Sequence, residues 1–180
     1  MTDKQIAALF MSHLLPAMQA QTALAAVKLA RNYQATQQGA ATGPYVYFFK
    51  VGDHRYGHVE RCDVYDTDLE VFTHTESQIY ETTYQFSAWI PQTPGDVTSL
   101  TESDILNAVS GIMQSDTILA AFRAAGVGIQ RVTEVRNPYF TDDRDLFEAV
   151  PSFDIILTHK RVTVTTLPAV VTYEARINRV

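Results

Sequence analysis

Residues 127–157 read VGIQRVTEVRNPYFTDDRDLFEAVPSFDIIL, and the rest of the chain is organised around this stretch. From Val127 to Arg136, the apolar residues Val127, Ile129, Val132 and Val135 stand among polar ones. From Ser152 to Leu157, Phe153, Ile155 and Leu157 fall on one face. Side chains of a strand point alternately to its two faces, so this patterning marks two half-buried strands. The connector TDDRDLFE sets Asp142, Asp143 and Asp145 beside Arg144 and Glu148. It is too polar to bury and is expected as a surface loop.

A hairpin with one apolar face needs a layer to pack against. Thr101 is placed to cap a helix whose stripe is Ile105, Leu106, Val109, Ile112 and Met113. Ser115 starts a second turn of helix with Ile118, Leu119 and Phe122, and Gly126 stops it. Upstream, residues 45–52 (YVYFFKVG) are rich in aromatic and β-branched residues and read as a strand. A turn is expected at Gly52-Asp53-His54, a strand over 56–65, a turn at 66–68 and a further strand over 69–75. Gln78–Ile90 is the longest strand expected. Tyr80, Thr82, Tyr84, Phe86, Ala88 and Ile90 share one face of it, while Ile79, Thr83, Gln85, Ser87 and Trp89 share the other. Apolar content on both faces predicts a central strand or one at an interface.

Residues 2–38 read as helix, started by Thr2 or Asp3 and interrupted at Pro16. The second part is rich in strong helix formers but has a thin, alanine-rich stripe, so it is expected to gain little from packing on its own domain. The expected organisation is an N-terminal helical arm and linker over 1–44 and an α+β domain over 45–180. That domain has a mainly antiparallel sheet with flanking helices, and a long N-terminal helix precedes it.

Few chemistries fit the remaining residues. The sole cysteine, Cys62, excludes an intramolecular disulfide and reads as a partly buried structural residue in a strand. His54 and His58 straddle a turn, where a spacing of four has no chelating meaning, and His74 and His159 read as unpaired strand residues. The array from Asp142 to Glu148 lacks the spacing of a calcium loop and has Arg144 in its middle. No nucleophile motif or dinucleotide fingerprint is present, so no cofactor, metal or catalytic residue is expected. No apolar run reaches the roughly 18 residues needed to span a bilayer, and a soluble, intracellular protein is expected. The net charge of −6 is concentrated over residues 45–150, with mildly basic ends. An acidic body repels phosphates and gives no grip on nucleic acid.

Three segments together resemble a known family: SQIYETTYQFSAWIP with its Tyr84-Gln85-Phe86 core, the helix TESDILNAVSGIMQSDTILAAFRAAGVGI, and RVTEVRNPYFTDDRDLFEAVPSFDIIL. The last holds Arg136, Pro138 and Asp142 in a loop and Phe153-Asp154-Ile155 in a strand. Over residues 45–165 the chain is similar to the neck terminator, or tail completion, proteins of tailed bacteriophages. The resemblance implies a non-enzymatic virion protein of the neck, assembled in the host cytoplasm as a ring, commonly a hexamer. Such a ring caps the tail tube protein, ends its polymerisation and meets a head-side connector or stopper. DNA would pass through the lumen without specific binding, and no membrane is involved. The loop carrying Asp142, Asp143, Arg144, Asp145 and Glu148 would then be an interface or lumen loop. Other phage ring parts (a stopper, tube or baseplate subunit) share the plan, and a small enzyme or ligand-binding domain is the reading from a different class.

Overall fold

A computed structural model describes residues 1–31, 43–91, 98–141, 147–149 and 151–169. In chain order the elements are α1 (Asp3–Leu9), a π-helical turn (Phe10–Leu14), α2 (Leu15–Gln19), a 3₁₀ turn (Thr22–Leu24), β1 (Lys28–Arg31), β2 (Tyr45–Asp66), β3 (Val71–Trp89), α3 (Glu102–Met113), α4 (Asp116–Ala124), β4 (Val127–Val132), β5 (Tyr139–Thr141), β6 (Phe147–Ala149) and β7 (Ser152–Pro168). The class is α+β. The main sheet is mixed, in the order β1-β2-β3-β7-β4: β1 runs parallel to β2, and the other pairs are antiparallel.

The helices lie on one face of this sheet. Thr2 closes a capping box with Gln5, and Thr101 closes one with Asp104, so both helix starts are legible from their caps. Phe10 is where the layers meet. Its ring lies 5.1 Å from Phe48, 5.4 Å from Tyr84, 5.2 Å from Phe86 and 5.6 Å from Phe122. Phe86 stacks in turn on Phe153 at 5.2 Å. Ile105, Leu106, Val109, Met113, Ile118 and Phe122 close the core from the helix side, and Phe153, Ile155 and Leu157 close it from the sheet. The long strand is central, as expected, and of its two faces the one with Thr82, Tyr84, Phe86 and Ala88 points into this core from β3.

Three expectations are corrected. The N-terminal helix ends at Gln19 instead of running to residue 38, and Lys28–Arg31 is an edge strand. Helix-forming composition is a weak prior, and burial overrides it: Leu24, Val27 and Leu29 are buried, while Lys28–Arg31 pairs with Tyr45–Phe48. Helical hydrogen bonding crosses Pro16 because the wider π turn just before it absorbs the missing donor. Residues 52–54 are not a turn. They lie inside β2, next to a bulge between Lys50 and Gly52, and a second bulge between Tyr56 and Glu60 contains Gly57 at φ +66°. The strands expected over 45–52 and 56–65 are therefore one. Likewise β3 starts at Val71, after a turn in which the Asp66 carboxylate accepts from the amides of Asp68 and Leu69 at 2.9 and 3.1 Å.

The hairpin of β4 and β7 forms as expected. A bulge between Ile129 and Arg131 reverses the alternation of β4, which returns Val132 to the side of Val127 and Ile129. Strand β7 runs on beyond Leu157 to Pro168.

Candidate functional site: the three-stranded arm

β2, β3 and β7 are much longer than the helices can cover. Beyond Lys50 in β2 and His159 in β7, the residues of both strands are exposed on either face almost without exception, with β3 running between them. The sheet thus divides into a body, packed on helices, and an arm made of the Asp53–Asp66, Val71–Thr82 and Lys160–Pro168 stretches.

A polar chain marks the root of the arm. The Lys50 ammonium donates to Asp3 at 2.9 Å and also to Asp53. The Thr82 hydroxyl donates to Asp53 at 2.7 Å, and its oxygen lies 3.0 Å from Nε2 of buried His159. With its single proton committed to Asp53, Thr82 accepts from His159, which fixes the Nε2–H tautomer. Nδ1 of His159 is then a buried acceptor without a hydrogen-bond partner among the described residues. Burial is the main cause that holds His159 below the usual histidine range. At Asp53 burial pushes the carboxyl up, but the hydrogen bonds from Lys50 and Thr82 outweigh it and the net shift is down. At Lys50 burial pushes down, and the bonds to Asp53 and Asp3 outweigh it and raise the ammonium. Tyr80 stacks on His159 at 5.9 Å between the guanidiniums of Arg55 and Arg161.

Further out, cross-strand pairs replace burial. On the helix-side face Arg61 donates to Glu76 at 2.9 Å, and His74 sits against Asp63 and Glu76. Hydrogen bonds to Asp63 and Glu76 raise His74 above the ordinary value. On the other face Glu60 accepts from Ser77 and Lys160, both at 2.8 Å. At the tip Tyr65 packs on Phe72 with ring centroids 4.9 Å apart. Two sequence expectations fail here. His74 and His159 both have partners, because strands far apart in sequence bring those partners alongside. Cys62 is exposed, because the strand that carries it has left the body. Among the described residues no group of three His, Cys, Asp or Glu side chains could hold a metal ion, and no single helix is long and apolar enough to cross a membrane.

Of the acidic connector, Asp142, Asp143, Arg144 and Asp145 lie outside the described residues. Glu148 belongs to β6, opposite Phe140 of β5, so a short antiparallel pair is built into the stretch read as loop. The arm has a signal of its own in the sequence: THKRVTVTTLP alternates like a strand yet has too few apolar residues to be covered.

The family model of the E217 gateway protein gp29 matches residues 5–169. The chain belongs to that family. The match agrees with the phage terminator family expected from the sequence, and it extends through the N-terminal helix and β1, which the motifs did not reach. No curated protein matches. Among solved structures, the sheath/tube terminator of PVC, an extracellular contractile injection system, in its extended state is similar with a TM-score of 0.47 and 10% identity. The similarity covers 100% of this chain and 64% of that one, so this chain spans less than two thirds of its length.

Proposed function

We propose that this protein is a structural subunit of a phage neck, forming a ring that caps the tail tube, ends its polymerisation and joins it to the head connector. The observation that carries the reading is the family match over residues 5–169, which takes in both body and arm. The arm supports it. Three strands held out from their core, with neither face covered among the described residues, cost conformational entropy that burial within the subunit does not offset. Contact with other subunits supplies that burial.

In this reading the ring is a hexamer, its partners are the tube protein and a head-side connector or stopper, and duplex DNA passes through the lumen. The acidic balance of residues 45–150 suits a lumen that repels phosphates and lets the duplex slide. The loop with Asp142, Asp143, Arg144, Asp145 and Glu148 is a contact or lumen loop. The protein acts by assembly and not by catalysis.

Imaging of particles assembled without this protein tests the function. Tails of uncontrolled length, or tails unjoined to heads, are expected; tails of normal length joined normally would sink the proposal. Replacing Asp142, Asp143 and Asp145 together by Asn tests the loop. Folding should be retained and particle yield should fall, whereas wild-type yield would remove the loop from the interface.

A further inference from the structure

The body of the sheet has covered edges and the arm does not. β1 pairs with β2 only as far as Phe48, and β4 pairs with β7 only up to His159. Past these points no strand among the described residues lies outside β2 or β7. Each edge of the arm therefore presents a row of open backbone donors and acceptors.

On β7 the outward groups can be named. Ser152 exchanges both backbone hydrogen bonds with Arg136 at 2.8 Å, on the side away from β3. The Lys160 carbonyl accepts from the Met1 amine at 2.7 Å on that same side. Even-numbered residues thus face outward, and alternation carries this to Val162, Val164 and Thr166. Their N–H and C=O groups point off the arm.

The two edges match each other. Past its second bulge, β2 is regular from Glu60 to Asp66. Glu60 is level with Ser77 and Val162, and Asp66 is level with Val71 and Pro168, so the free runs are equal in length and height. Their charges do not clash: 60–66 holds Glu60, Asp63 and Asp66 against Arg61, 162–168 holds no charge, and the run is preceded by Arg161 and by Lys160, which bonds Glu60 of its own subunit. On the 162–168 edge Val162 and Val164 are 49% and 60% exposed, no residue is charged and the only proline is at the end, so little blunts this edge.

We propose that these edges join successive copies of this chain: strand 162–168 of one subunit adds to strand 60–66 of the next. The contact is heterologous, the kind that closes into a ring. Its pairing is parallel. β2 and β7 both run antiparallel to β3, hence in the same direction, and rotation about an axis along the strands preserves direction. Each subunit contributes three strands to one continuous sheet. Closure rests on the ring reading above, whereas the choice of edges rests on the arm alone.

The native Cys62 supplies the test. Cys62, Thr75 and Val164 form one row on one face of the arm. Within a subunit β3 separates Cys62 from Val164 by about 9.5 Å, two strand spacings, which exceeds the reach of a disulfide. Between paired copies the two positions are adjacent. The variants Val162→Cys, Val164→Cys and Thr166→Cys, oxidised in turn, should include one that yields a reducible ladder of covalent multimers. Thr165→Cys, on the opposite face, and any of the three combined with Cys62→Ser should yield none. Val164→Pro removes an outward N–H and leaves the β3 ladder intact. It should keep the thermal midpoint and raise the concentration for half-assembly about tenfold, the equivalent of one or two lost hydrogen bonds. Native mass spectrometry is run alongside, and if the free protein is monomeric the oxidation is repeated on purified particles. Multimers or intact necks with no ladder in any variant overturn the edge pairing and leave the ring standing. Absence of the protein from particle necks overturns the ring itself.

Discussion

One strand, β3, lives in two environments. From Thr82 to Ala88 its inner face is buried under three helical segments, and Phe86 stacks on Phe153. From Val71 to Ile79 the same strand continues with the same two neighbours and no helix above it. The backbone ladder is unbroken across the boundary, so hydrogen bonding does not distinguish the halves. Side-chain burial does. The body is stabilised by apolar area removed from water, and the arm by its ladder and by ion pairs that water screens. The uncovered part of the sheet is left for contacts outside the subunit.

Substitutions on either side of that boundary should separate the halves. The largest effect is expected in the body: Phe153→Ala leaves a cavity against Phe86 and should cost about 3–5 kcal/mol in urea unfolding. A native-like midpoint would mean that the core is not where the two layers meet. At the boundary, Thr82→Val leaves Asp53 and His159 without their shared partner. It should cost about 1–3 kcal/mol, read in the same way.

Acidity probes the two halves in opposite directions. His159 is depressed by burial, so its contribution is present above the ordinary value of about 6.5 and is lost as pH falls below it. His74 is raised by Asp63 and Glu76, so its contribution is full below about 6.5 and is lost as pH rises through its folded value. Removing His74 leaves the His159 dependence unopposed. His74→Asn should therefore lose thermal stability more steeply than the native protein between pH 7 and pH 5, and parallel curves would remove the His74 pairing from the account. The smallest effect belongs to the arm: Val164→Thr should change unfolding stability by no more than about 0.5 kcal/mol. A loss as large as that at Phe153 would show that the arm is part of the cooperative core.

Much of the body was legible because its signals are local. Thr101 and Asp104 announce a helix start, Gly126 a stop at φ +76°, and Phe153, Ile155 and Leu157 an inward face. What failed depended on distant partners. The 28–31 stretch has helical composition and becomes a strand because Tyr45–Phe48 offers an edge. Gly52-Asp53-His54 resembles a turn, but Lys50 and Thr82 hold Asp53 within a strand. The candidate loop was legible only as an acidic cluster, because nothing local says what such a cluster faces.

The sequence by itself determined the class of fold, the inner faces of the helices and of β7, and the lack of any familiar catalytic motif. These follow from periodicity and capping, which act within a few residues. Only the tertiary structure decided that three strands leave their helices behind, that a lysine, two aspartates, a threonine and a histidine meet at the root, and that two level edges stay open. Those outcomes depend on registers between strands as far apart as Glu60 and Val162, and pairing at that range is set by the packing of the body as a whole.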